Sequence, residues 1–341
     1  MFRQDRTNPS TAISNWRGRH DTPKAWPSSA VSTWLNGGLF GGAGISLHGG
    51  YMQYYWQYVS STKYDFVTEV YASIESAVTN VSGYCCNNIS NNQVAGYAMS
   101  GINKDDDPQY RSQRGWKCTV ATNVFSETAA SMVALEHQNG FGYSNSGTAG
   151  YYGGGVTQAG PYTTAIQKFT YASDTSASTI SGTLDTARYY IQGMAKRGDR
   201  GMAWGGWNGV NAGSVMNTVS FSSDTSSTIT AISTATYGGG GFSNGQVAGY
   251  VSGGFNMGSA IDKYDYSSFS RSTLSATAGA GYINGWPNTG VAGYFAQSAT
   301  AANQFKLDFS AETVSTPSGS MGSPWTNSSA TVCFSTCEAS P

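Results

Sequence analysis

Two stretches of this chain concentrate side chains able to hold a ligand. The first, YMQYYWQYVSSTKYDF at 51–66, crowds Tyr54, Tyr55, Trp56 and Tyr58 into one short run, with Tyr64 behind them. The second, GINKDDDPQYRSQRGW at 101–116, sets Asp105, Asp106 and Asp107 beside Tyr110, Arg111 and Arg114. Aromatic faces beside carboxylates and guanidinium groups suit two tasks. They can stack on and hydrogen-bond a sugar, or anchor a protein interface, where Tyr, Trp and Arg are enriched. The three consecutive Asp residues lack the alternate spacing of a calcium loop and read as a solvated turn.

What must position these stretches is a repeat of roughly 50 residues. One anchor is a Gly-aromatic step running into a glycine pair: Gly150-Tyr151 to Gly154-Gly155, and Gly249-Tyr250 to Gly253-Gly254, with Gly201-Met202 to Gly205-Gly206 between them. The other is an alternating strand closing on Ser-Asp-Thr, AIQKFTYASDT at 165–175 and NTVSFSSDT at 217–225, with weaker forms at 261–269 and 303–313. Following the first anchor through Gly50-Tyr51, Gly96-Tyr97, Gly293-Tyr294 and a worn Thr331-Val332 gives seven copies. AISNWRGRHDT at 12–22 aligns without gaps on 165–175, so the chain begins and ends inside a repeat. A closed ring can assemble its last unit from both chain ends, whereas a linear solenoid needs complete capping units.

One unit, 188–235, reads as four short strands. Tyr189 to Met194 and Gly201 to Trp207 flank a polar turn, Val215 to Ser223 follows a loop, and Thr228 to Ile232 follows a turn in which Asp224 can cap its own backbone. The expected fold is all-β: a single seven-bladed β-propeller of four-stranded blades. The closing blade would combine 1–37 with 321–341, and the others would span about 38–82, 83–138, 139–187, 188–235, 236–278 and 279–320. In this register 51–66 and 101–116 are strand 2–3 loops of neighbouring blades and project from the same rim.

Catalysis is not expected. His20 and His48 fall in turns of one rim and His137 in a blade-to-blade connection of the other, so they cannot converge on one triad or metal. Asp224 has no partner carboxylate, and the Ser-Asp-Thr turns read as structural. Cys85, Cys86, Cys118, Cys333 and Cys337 form no C-x-x-C pair, which argues against zinc, and no cofactor is expected. Charged residues make up 11% of the chain and the net charge is −1, against the clustered basic surface that nucleic acid requires. The N-terminal MFRQDRTNPSTAIS lacks an apolar core, so no secretory signal is expected, and no run of residues is apolar enough for a membrane span.

The diglycine, the I-x-K-Φ-x-Y strand and the Leu184-to-Arg188 step resemble the kelch repeat, without the Trp that kelch units carry near strand four. The low charge, the Gly/Ser/Thr/Tyr-rich surface and the Ser-Asp-Thr turns further resemble kelch-like propeller proteins of tailed phages, including those of cyanobacteria. That resemblance implies a non-catalytic structural protein of the virion. It would be tail-associated, as nozzle, fibre or adaptor, or else a head-surface protein. It would be present in multiple copies, contact other virion proteins, and act in assembly or host attachment. The alternative is a carbohydrate-binding propeller that recognises surface glycans.

Overall fold

A computed structural model describes 139–317 apart from 158–159, 175–177, 282, 289 and 298–303. It also describes 43–52, 55–65, 69–74, 87–91, 94–102, 111–119, 124–127 and 331–333. These residues form six four-stranded antiparallel sheets. Sheet I holds β1 (Ala43–Met52), β2 (Tyr55–Asp65) and β3 (Val70–Ile74), and sheet II holds β4 (Asn87–Asn91), β5 (Ala95–Ile102), β6 (Arg111–Thr119) and β7 (Val124–Glu127). Sheet III is β8 (Phe141–Asn145), β9 (Ala149–Gly153), β10 (Ala165–Thr170) and β11 (Ser178–Thr183). Sheet IV is β12 (Gln192–Lys196), β13 (Arg200–Trp204), β14 (Met216–Ser220) and β15 (Ser226–Ile229). Sheet V is β16 (Gly239–Asn244), β17 (Ala248–Gly253), β18 (Ala260–Asp265) and β19 (Arg271–Thr277). Sheet VI is β20 (Ile283–Asn288), β21 (Ala292–Gln297), β22 (Gln304–Asp308) and β23 (Val314–Ser315). The last strand, β24 (Thr331–Cys333), returns to pair with β1 and completes sheet I.

Sheets II to VI are simple meanders, sheet I takes its first strand from β24, and the first strands neighbour one another in the order β4, β8, β12, β16, β20, β24 and back to β4. This is the propeller arrangement. It also shows in burial along the strands. Second strands such as β9 and β17 are buried at every position because a blade covers each face. Fourth strands such as β11 and β19 are mostly exposed and rich in Ser and Thr, which keeps the outer edges short and wet.

The glycine of each Gly-aromatic anchor has a packing reason. The first-strand side chain of one blade lies flat on the second-strand glycine of the next. A β-carbon on Gly150 would sit 2.3 Å from Cδ1 of Ile89, and one on Gly201 would sit 1.9 Å from Cε2 of Tyr143. One on Gly249 would meet Met194 Sδ at 2.6 Å, and one on Gly293 would meet Phe242 Cε2 at 1.9 Å. Above these contacts the aromatic residues fill the space between blades: Tyr143 stacks on Phe141 and Tyr151, and Tyr151 stacks on Phe221.

Several expectations are corrected. The described residues form six sheets, not seven. Thr331-Val332, expected as the second strand of a seventh unit, lies in β24, the first strand of sheet I. In that sheet Lys63 pairs with Ile45, as Lys168 pairs with Tyr151 and Lys263 with Tyr250. The anchor of sheet I is therefore Ala43-Gly44-Ile45, and Gly50-Tyr51 lies farther along a lengthened hairpin. His48 sits inside β1 rather than in a turn. Tyr55, Trp56 and Tyr58 belong to β2, with Trp56 opposite Tyr51, because the β-prone run continues the hairpin. Arg111 opens β6 opposite Ile102, so the β5–β6 connection is shorter than the 101–116 loop expected. The segment 1–37, with His20 and Asp21, and also His137, Tyr54, Asp105 to Asp107 and Tyr110 lie outside the described residues.

Candidate functional site

A four-stranded meander sends its strand 1–2 and 3–4 turns to one rim, and its 2–3 loops and blade connections to the other. The two rims differ in chemistry. Between 139 and 317 the charged residues lie at the 1–2 and 3–4 turns or in the third strands leading to them, with two exceptions, Asp185 and Arg188. That pair neutralises itself: Arg188 Nη1 donates to Asp185 Oδ1 at 2.9 Å, and its Nη2 donates to Asn217 Oδ1. Burial lowers the pKa of the Arg188 guanidinium against the opposing pull of Asp185.

On the charged rim a third-strand Lys reaches the next blade at one junction after another. Lys117 bonds Asp174 (2.5 Å), Lys168 bonds Asp224 (2.8 Å), Lys263 bonds Glu312, and Lys306 bonds Glu69 (2.5 Å). Each acceptor occupies a left-handed position in the 3–4 turn, with φ between 52° and 55°. Each also stands six residues after the lysine position of its own blade. A second-strand tyrosine completes the cluster. Tyr151 donates its hydroxyl to Asp224 Oδ1 at 2.8 Å while Lys168 lies 5.5 Å from the Tyr151 ring centroid. Asp224 therefore holds the neighbouring blade rather than capping its own turn. Asp265 and Asp308 do the capping, accepting from the backbone N–H groups of Ser267 and Ser310.

The junction between sheets IV and V departs from this rule on both sides at once. Thr218 stands where the lysine would be and Phe269, at φ 55°, where the carboxylate would be. Here Lys196 and Arg200 close over the Phe269 ring at 5.2 and 4.5 Å, replacing the ion pair with cation–π contacts. The Lys306–Glu69 pair joins the sixth sheet directly to the first and closes the ring independently of β24.

These tyrosines make the fold sensitive to alkali. Burial first, and then the adjacent carboxylate, pushes Tyr97 and Tyr151 well above the ordinary phenol range, and Tyr250, beside Glu312, up to about 12. A phenol whose folded pKa exceeds its unfolded value of ~10 favours folding in its neutral form. That contribution is complete below pH ~10 and is lost as the pH rises through the folded value. Titration of phenolate absorbance should show these tyrosines ionising together with loss of the fold above pH ~10. Smooth titration of all tyrosines near pH ~10 with an intact fold would contradict this.

The opposite rim is aromatic. Gly154-Gly155, Gly205-Gly206 and Gly253-Gly254 all adopt positive φ, from 64° to 105°, a turn that suits glycine. The turn lets the second glycine donate to the connection entering the next blade: Gly155 N to Arg188 O (2.8 Å), Gly206 N to Thr236 O (2.9 Å) and Gly254 N to Gly281 O (2.7 Å). The 2–3 loops of sheets III, IV and V are thereby folded onto those connections, and the side chains on both form one strip. Tyr162 stacks on Tyr189 at 4.8 Å, Tyr189 meets Tyr190 at 4.5 Å, Tyr190 meets Tyr237 at 5.9 Å and Tyr237 stacks on Phe255 at 5.1 Å. Trp207 packs edge-on to Tyr237 at 5.3 Å. Phe255 is 63% exposed and the other rings are half-buried.

The sequence reading missed this strip because it followed departures from the repeat, whereas the strip is built from regular positions. Trp207 and Phe255 each directly follow a diglycine, and Tyr190 and Tyr237 directly precede or lead into a first strand. The expected site residues that are described, Tyr55, Trp56, Tyr58 and Arg111, lie at the ends of the β1–β2 and β5–β6 hairpins that face this same rim, in adjoining sheets. Among the described residues there is no group of His, Cys, Asp and Glu able to hold a metal ion, and no helix long and apolar enough to cross a membrane.

The chain matches no protein-family model and no curated protein.

Proposed function

We propose that this chain is a non-catalytic structural protein of a tailed-phage particle, a tail-associated ring that serves as a docking platform in assembly or host attachment. The observation that carries this reading is the division of the disk. Charged side chains are spent on binding blade to blade along one rim, while the other rim presents uncharged aromatic rings across three consecutive blades. A ring braced at its junctions presents a docking face without reorganising, which lowers the entropic cost of association. Its partners would be other virion proteins in a repeated assembly, with neither nucleic acid nor cofactor involved.

Peptide mass spectrometry on density-purified particles tests the reading. The expected result is this chain at a fixed stoichiometry to the major capsid protein, with a copy number fitting the tail rather than the head surface. Absence from washed particles would refute it.

A further inference from the structure

We propose that the aromatic strip Tyr162–Tyr189–Tyr190–Trp207–Tyr237–Phe255 is a binding site for an uncharged glycan chain. This goes beyond the virion reading and holds whether or not the chain is a particle component.

The first argument is charge. The loops 154–164, 205–215 and 253–260 and the connection 230–239 contain no Asp, Glu, Lys, Arg or His. The remaining connection contributes only the mutually paired Asp185 and Arg188, the latter buried. An acidic polysaccharide or a phosphate-bearing polymer would find no cation here to pair with.

The second argument is shape and wetting. The rings follow one another in single file at 4.5 to 5.9 Å, so the apolar surface is long and narrow rather than a broad patch. A sugar chain matches such a track, laying C–H groups on the exposed Phe255 ring and along the ring edges beside it, with its hydroxyls outward. Asn211 and Asn256, both exposed, flank Trp207 and Phe255 with amide groups suited to those hydroxyls. Tyr162 and Tyr189 hold each other by stacking, which presents the strip in one conformation before a ligand arrives.

The third argument is that the strip is built by the fold. The three diglycine hydrogen bonds that seat the loops on the connections also bring Trp207 beside Tyr237, and Tyr237 beside Phe255.

Native gel electrophoresis through gels containing amylose, hydroxyethylcellulose or galactomannan, with alginate as the acidic comparison, tests the proposal. The intact chain should be retarded by at least one neutral polymer, and the retardation should survive high salt. Trp207→Ala and Phe255→Ala should each weaken it on the order of tenfold, with an unchanged melting temperature for the exposed Phe255. Trp207→Phe should retain most of it. Retardation by none of the neutral polymers, retardation by alginate alone, or unchanged binding in Phe255→Ala would each overturn the proposal.

Discussion

Gly201→Ala should unfold or severely destabilise this protein, at a cost of about 3 kcal/mol or more. The new methyl would sit 1.9 Å from Cε2 and 2.2 Å from Cδ2 of Tyr143. Tyr143 cannot turn aside, because it is held between Phe141, Tyr151 and Phe221. Gly198→Ala is the contrasting control: unlike Gly201 it stands at a positive φ, 67°, but its new methyl meets nothing within 4 Å, so it should lose only about 1 kcal/mol. Thermal melts of the two variants separate close blade packing from backbone strain. A Gly201→Ala loss no larger than that of Gly198→Ala would show that Tyr143 gives way and that close contact is not what the anchor glycine serves. A second variant, Tyr143→Leu with Gly201→Ala, should recover part of the loss because it removes the ring that the methyl strikes.

Asp224→Ala should cost about 2–3 kcal/mol, more than an ordinary surface ion pair contributes. The removal strands two groups of sheet III at once, the half-buried ammonium of Lys168 and the hydroxyl of buried Tyr151. It also leaves alanine at φ 53°, where Asp is better tolerated. Asp224→Asn keeps an acceptor for Tyr151 and tolerates the backbone, so its loss should be roughly half as large. Chemical denaturation of the pair checks this. An Asn variant as unstable as the Ala variant would mean that charge, not the hydrogen bond, holds the junction.

Much of the blade was legible in the sequence, because the information is local. In 188–235 all four strands appear in the expected order, each within a few residues, since alternation and turn residues act over one strand. The diglycine was rightly read as a place where the backbone bends or is closely approached. What was not legible lies between blades. Whether Asp224 caps its own turn or reaches Lys168 fifty-six residues back depends on how adjacent sheets splay, and no short-range pattern encodes that. The six-residue spacing from Lys63 to Glu69, Lys168 to Asp174 and Lys306 to Glu312 was visible, but Glu69, Lys168, Asp174, Lys306 and Glu312 each find their partner in the neighbouring unit. The blade count failed for a related reason. Gly50-Tyr51 imitates an anchor within a lengthened hairpin, and Thr331-Val332 imitates one within a strand that closes sheet I.

A continuous rim requires sheet VI to abut sheet I, and zero-length carbodiimide coupling followed by peptide mass spectrometry tests that contact directly. Coupling should join Lys306 to Glu69, residues 237 apart in the chain, as it joins Lys168 to Asp224. If Lys306 were instead joined to Asp21, which aligns with Asp174 in the repeat, a further blade would stand between the two sheets and the six-sheet ring would be wrong.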